Sequence, residues 1–260
     1  MSHEMLNVSP ETAGAPLDTR KLIVGFPLYK QVPATFFMNY LNMDKREVTY
    51  TIAVNGVYIP LAMQQLVDSC MRIRESNPDS QWERLVVMEH DMTPPQDALA
   101  RMASYGPDKH IVCAMYFQHY PPHLANAMGM GDNGRVSPLG PDVIKVMAET
   151  PALYEVAAVG MGFTAIHRDV MEQWDKSVPM FQTDGDMTHD VWFCRRAQEQ
   201  GFNVFVDSAI QCDHLTEAAI GLNHNQQMTS YYRQLVEQIG AQAAASELNG
   251  DVNAIYETAL

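Results

Sequence analysis

The chain has 260 residues, 17 Lys+Arg against 31 Asp+Glu, a formal charge of −14, and 47% hydrophobic against 18% charged residues. That balance supports a folded core and excludes a disordered chain. The negative charge excludes non-specific binding to nucleic acid or anionic lipid, which needs clustered Lys and Arg. No run approaches the ~18 uninterrupted apolar residues of a membrane span, and the first twenty residues lack a basic-then-apolar export pattern, so a cytoplasmic protein is expected.

Residues 1–20 are polar, contain Pro and Gly, and show no periodicity; they read as an arm ahead of the domain. Residues 21–28 (KLIVGFPL) form a short apolar run rich in β-branched residues, a buried strand. A helix is predicted after Pro33, a second strand over 47–54 ending at Asn55-Gly56, and a helix opening at Pro60. The third strand, 84–88 (RLVVM), runs directly into Glu89-His90-Asp91. A helix over 96–105 and a fourth strand over 109–117 follow. This alternation describes a parallel sheet with crossover helices.

The second half changes character. Residues 119–141 are rich in Pro, Gly, Asn and His and read as a long loop, of the kind that serves as a lid or a substrate-binding segment. Residues 154–166 read as one strand interrupted at Gly160-Met161-Gly162, followed by a short helix over 167–174. A polar loop over 182–188 leads to a helix over 190–200, then a strand over 202–206 and Cys212-Asp213-His214. From Leu215 the spacing of Tyr231, Leu235 and Ile239 predicts a helical extension over 216–260. The four cysteines, Cys70, Cys113, Cys194 and Cys212, are dispersed in apolar runs and read as reduced, buried thiols.

The acidic strand end is the most informative feature. Open parallel sheets bind ligands beyond the carboxyl ends of their strands. With a strand period of two, Glu89 and Asp91 project to one side and His90 to the other. Two carboxylates make a hard oxygen site suited to Mg²⁺ or Mn²⁺; acids that merely cap the next helix would look the same in sequence. His214, placed after a later strand, can complete such a site. Asp184, Asp186, His189 and Asp190 crowd a helix start, where the dipole favours an ionised carboxylate. A carboxylate beside a reacting hydroxyl is a general base, although Asp is common at helix starts for structural reasons alone. Gly160 and Gly162 permit close approach of a ligand or form a bulge. Neither GxGxxG nor GxxxxGK[ST] is present.

Four segments, VGFPLYKQVP, RLVVMEHDMTPP, VGMGFTAIHRDVME and HDVWFCRRAQEQGFNVFVDSAIQCDHL, together resemble glycosyltransferases of the GT-A fold, closest to the large family-two-like group and its phage and viral relatives. The resemblance covers about residues 22–215. It implies a single Rossmann-like α/β domain with a mostly parallel central sheet. It further implies a metal-dependent enzyme, using Mn²⁺ or Mg²⁺, that moves a sugar from a nucleoside-diphosphate donor to an acceptor hydroxyl. Glu89 and Asp91 match the Asp-any-Asp metal motif and His214 the late metal-binding histidine. Asp190 matches the catalytic base of inverting members. Pro27, Tyr29 and Asn55 fall where the family contacts base or ribose, and Gln65 where many relatives carry an Arg-Asn pair. His90, Gly160 and Gly162 complete the expected donor contacts. Two departures stand out: Glu89 replaces the first Asp of the metal motif, and His189 replaces the first acid of the later pair. They keep open a non-catalytic nucleotide-sugar-binding protein, and a metal-dependent nucleotidyltransferase is a further alternative. The sugar, the base, the acceptor and homo-oligomerisation are left open.

Overall fold

The computed structural model describes residues 20–220, apart from 30, 132–133, 186 and 217–218. In chain order the elements are β1 (Leu22–Leu28), α1 (Ala34–Asn42), β2 (Val48–Asn55), α2 (Ile59–Ser76), β3 (Arg84–Met88), β4 (Met92–Thr93), α3 (Ala98–Ser104) and β5 (Ile111–Met115). There follow β6 (Ala127–Met130), β7 (Val136–Pro138), α4 (Pro141–Glu149), β8 (Leu153–Glu155), β9 (Ala158–Val159), β10 (Phe163–His167), α5 (Arg168–Gln173), α6 (His189–Glu199), β11 (Val204–Gln211), β12 (Asp213–Leu215) and β13 (Ala219–Ile220).

Seven strands form the central sheet in the order β2-β1-β3-β10-β5-β11-β8. β1 pairs in parallel with β2 and β3, and β5 with β11; β10 runs antiparallel between β3 and β5, and β8 antiparallel at the edge. β3 and β5 are buried along their whole length, which is why they read as continuous apolar runs rather than alternating ones. The mostly parallel α/β architecture expected from the sequence is therefore the observed one. The five strands that share a direction also share a carboxyl edge, and the segments after β3, β5 and β11 converge there.

Four elements differ from the expectation. Residues 119–141 are not all loop: β6 and β7 pair antiparallel, and β6 also pairs with β9, giving a second small sheet. Gly134 (φ 72°) turns that hairpin, and Asn133-Gly134 is a hairpin signal in the sequence. The helix α4, opened by Pro141, follows it. Residues 154–166 divide into β8, β9 and β10, because the Gly160–Gly162 segment breaks the run and lets its two ends join different sheets. At the carboxyl end, Leu215 lies in β12 and pairs with β13, so no helix starts there; residues 221–260 lie outside the described residues. At the amino end, Arg20 belongs to the domain rather than to the arm. It is 5% exposed, and its Nη1 donates to the Val48 carbonyl at 3.1 Å. Residues 1–19 lie outside the described residues. No described helix is long and apolar enough to cross a membrane.

Candidate metal centre

The site forms where β3, β5 and β11 end. After β3 the chain turns sharply: the Met92 N–H donates to the Glu89 carbonyl at 3.1 Å, and Met92 enters β4. β4 pairs antiparallel with β12, with His214 opposite Met92, and the Leu215 N–H donates to the Asp91 carbonyl at 2.6 Å. This pairing brings two residues far apart in sequence side by side. His214 Nε2 lies 3.3 Å from Asp91 Oδ2. The third partner comes from the end of β5: the His119 ring lies 3.8 Å from that of His214, centroid to centroid, inclined by 31°. Asp91, His119 and His214 each present a ligand atom within 4.8 Å of the others.

The hydrogen bonding of these groups fits a divalent cation. His214 Nδ1 lies 2.8 Å from the Phe117 carbonyl, which can only accept, so Nδ1 carries the proton and Nε2 is the atom facing Asp91. A backbone carbonyl orienting the outer nitrogen is the usual support of a metal-bound imidazole. Asp91 Oδ1 and His119 Nδ1 are buried and meet no hydrogen-bond partner among the described residues. Buried polar atoms without partners are uncommon, and a carboxylate oxygen and an imidazole nitrogen are atoms a divalent cation could take as ligands. Burial opposes the charge on both members of the Asp91–His214 pair. Their mutual hydrogen bond and attraction outweigh it, holding the carboxyl below and the imidazole above its ordinary range.

Glu89 stands beside this triad and is not one of it. The turn after Met88 ends the strand alternation that would have put Glu89 and Asp91 on one side. Burial, followed by the nearby Asp91 charge, pushes the Glu89 carboxyl up to about 8, and Asp190 adds to the effect. Asp190, on α6, is near enough for its charge to act on Glu89. It lies in the first turn of that helix, and its Oδ1 accepts from the Thr188 hydroxyl and, at 2.9 Å, from the Val191 N–H. No hydrogen bond to Oδ2 is seen among the described residues. Asp186 lies outside the described residues.

The other residues singled out in the sequence divide into two groups. Pro27, Tyr29 and Asn55 gather where β1 and β2 end: Pro27 pairs with Val54 and Leu28 with Asn55, and Tyr29 is 47% exposed. Gln65 is partly buried on α2, and His90 follows Glu89 with its Nδ1 buried and unpartnered. Gly160 and Gly162 correct the sequence reading. A Cβ on Gly160 would overlap the Tyr116 hydroxyl, and one on Gly162 would lie 2.8 Å from Met92 Cε and 2.9 Å from Tyr116 Cζ. The space these glycines open is filled by Tyr116, whose hydroxyl accepts from the Gly162 N–H at 3.0 Å, and not by a ligand cradle. His119 was missed in the sequence because the segment after β5 read as loop. It lies four residues past the end of β5, beyond the strand signal itself. A separate groove of about 510 Å³ lies between β6, α4 and β8, and none of the residues named above lines it.

No known family profile matches the chain, and no curated protein matches it in sequence. Among solved structures it is similar to A197 from STIV, with a TM-score of 0.54 at 15% identity over 75% of this chain and 86% of that one. It also aligns with GalNAc-T7 solved with UDP, GalNAc and Mn²⁺, at a TM-score of 0.44 and 10% identity over 76% of this chain and 44% of that one. A third alignment is with apo UDP-glucose pyrophosphorylase, at 0.37 and 9% identity over 84% and 83% of the two chains. At such identities likeness concerns the fold alone. The described residues form a Rossmann-like α/β domain with a mostly parallel central sheet, sharing its fold with A197, and carry a candidate metal site at the carboxyl edge of the sheet.

Proposed function

We propose that the chain is a metal-dependent glycosyltransferase that takes a sugar from a nucleoside-diphosphate donor and transfers it to an acceptor hydroxyl with inversion. The observation that carries this reading is the meeting of Asp91, His119 and His214 at the edge where such folds bind ligands, with Asp91 Oδ1 and His119 Nδ1 buried and without partners among the described residues. Asp91 and the two imidazoles would hold Mn²⁺ or Mg²⁺. That ion, when bound, supplies positive charge to the departing diphosphate, which a protein of charge −14 otherwise repels. Pro27, Tyr29 and Asn55 flank the base and ribose, with His90 and Gln65 as further contacts. Asp190 takes the acceptor proton at Oδ2, its other oxygen being fixed by Thr188 and Val191. Glu89 is the protonated neighbour that keeps a third negative charge out of the centre until a cation offsets it.

The test is a thermal-shift panel of nucleoside-diphosphate sugars with and without Mn²⁺, followed by a transfer assay with the stabilising donor. A donor present at ~100 times its dissociation constant stabilises by ~2.7 kcal/mol. Asp91→Ala is expected to lose metal-dependent donor binding, and Asp190→Asn to keep it while losing transfer. Wild-type turnover in both variants would refute the roles. Tight donor binding with no transfer to any acceptor would leave a binding protein instead.

A further inference from the structure

Asp190 stands in the first turn of α6, and the Thr188 hydroxyl, just ahead of the helix, donates to its Oδ1. The direction of the carboxylate therefore depends on what holds the segment before α6. Its inner part is held by α6 itself. Trp192 Nε1 donates to the Pro179 carbonyl at 2.9 Å, the Phe181 and Phe193 rings stack at 4.8 Å, and Met180 and Phe181 are buried. Beyond Phe181 the chain comes out to the surface, and Thr183 and Asp184 are exposed. There Asp184 and Met187 exchange two backbone hydrogen bonds, each of 3.0 Å. Residues that exchange such a pair bring their outer neighbours side by side, so Thr183 lies next to Thr188.

The outer part is held from a distant part of the chain. The Tyr58 and Thr183 hydroxyls form a hydrogen bond of 3.0 Å across 125 residues of sequence. Tyr58 is the N-cap residue of α2, close behind Asn55 at the end of β2. Its backbone is fixed: its carbonyl accepts from the Ala62 N–H at 2.9 Å, and the buried Pro60 restricts the first turn. Its ring is 66% exposed, so the hydroxyl reaches Thr183 over the surface and not through the core. A neutral hydrogen bond open to water adds little to stability. The Tyr58 hydroxyl thus contributes little to the fold, yet it ties an 18-residue helix to the turn that carries the hydrogen-bond partner of Asp190.

We infer that Tyr58 is a positioning residue for Asp190: through Thr183 it fixes the turn, and with it the Thr188 hydroxyl that aims the carboxylate. The inference rests on the reading of Asp190 as the base that takes the acceptor proton. Tyr58 has no part in holding the metal or moving the proton; it sets where the carboxylate stands.

Tyr58→Phe and Thr183→Val each remove the hydroxyl pair, and Thr183→Ser keeps it. Two measurements on the full chain test the inference. The first is hydrogen exchange at the Val191 amide, which donates to Asp190 Oδ1 and needs no substrate to be followed. Exchange is expected to quicken about fivefold in Tyr58→Phe and in Thr183→Val. The double variant should match the single ones, and Thr183→Ser the wild type. The second is steady-state transfer from the donor that stabilises the protein in the thermal-shift panel. In both variants kcat is expected to fall about tenfold or more, with donor KM, Mn²⁺ affinity and melting temperature unchanged, and to return in Thr183→Ser. Val191 exchange unchanged in both variants overturns the inference whatever the transfer assay shows. A loss that appears in donor KM overturns it too, because Tyr58 is then a donor contact, as does a double variant whose losses add. If exchange behaves as expected but the wild-type protein transfers no sugar, the glycosyltransferase reading fails and Tyr58 still places Asp190.

Discussion

The two ends of β3 put polar groups into the interior in opposite ways. At its start, Arg84 is 0% exposed, and its guanidinium donates to the carbonyls of Lys109 at 2.6 Å, Tyr105 at 3.2 Å and Gly106 at 2.7 Å. Burial lowers its pKa to about 10, and the nearby Glu83, Tyr105, Asp108 and Asp169 groups oppose that fall, so it stays charged at neutral pH. Just past its other end, Asp91 shares one oxygen with His214 and leaves the second without a partner, as His119 leaves its Nδ1. One end spends its polar groups on closing the fold; the other holds lone pairs in reserve. A buried charge held by three backbone carbonyls marks architecture, even though Arg84 Nε has no partner among the described residues; a cluster of unpartnered acid and imidazole atoms marks a candidate site for something not supplied by the chain.

The contrast can be broken at each end. The largest effect is expected for Asp91→Ala. Mn²⁺ affinity measured by calorimetry should fall by about 100-fold or more, while the metal-free protein keeps its melting temperature within a few degrees, since only a hydrogen bond to His214 is lost. Arg84→Met should do the reverse. Chemical denaturation should show a loss of about 3 kcal/mol from carbonyls left without a donor, with Mn²⁺ affinity of the folded protein unchanged. Gly160→Ala should cost about 2 kcal/mol by collision with the Tyr116 hydroxyl. Combining it with Tyr116→Phe should recover part of that loss, which a ligand-cradle role for the glycine would not produce.

A further effect is a pH slope. In the metal-free protein the Glu89 carboxyl is raised from its usual 4.5 to about 8. The folded state then holds a proton that the unfolded state has released, so stability falls as pH rises between these values. His214, also raised, adds to the decline above its ordinary 6.5. Urea midpoints from about pH 5 to 8 should fall, and Glu89→Gln should flatten the slope.

What the sequence made legible follows from the same contrast. Fully buried parallel strands are written as unbroken apolar runs, so β1 and β3 were readable to within one residue and β5 to within two at each end, and the acids after β3 announced the carboxyl edge. Asp91 and His214 were found because each directly follows or lies within a clear strand signal. Their contact depends on β4 and β12, which are two and three residues long and below the length at which alternation can be seen. His119 was hidden because Pro, Gly and His around it look like loop in any context, and the β6–β7 hairpin was hidden by the same composition. The glycines at 160 and 162 signalled close approach correctly, but sequence does not say whether a ligand or a tyrosine approaches. Glu89 was paired with Asp91 on strand periodicity, which the turn at Met92 had already ended.

The central claim is that Asp91, His119 and His214 hold one divalent cation between them. The most direct measurement is anomalous scattering from a crystal grown with Mn²⁺. The account predicts a single strong peak within coordination distance of the Asp91 carboxylate, His119 Nδ1 and His214 Nε2, and its disappearance in His119→Ala. Asp91 and His214 remaining paired with no peak between them, or a peak held by other residues, would contradict it.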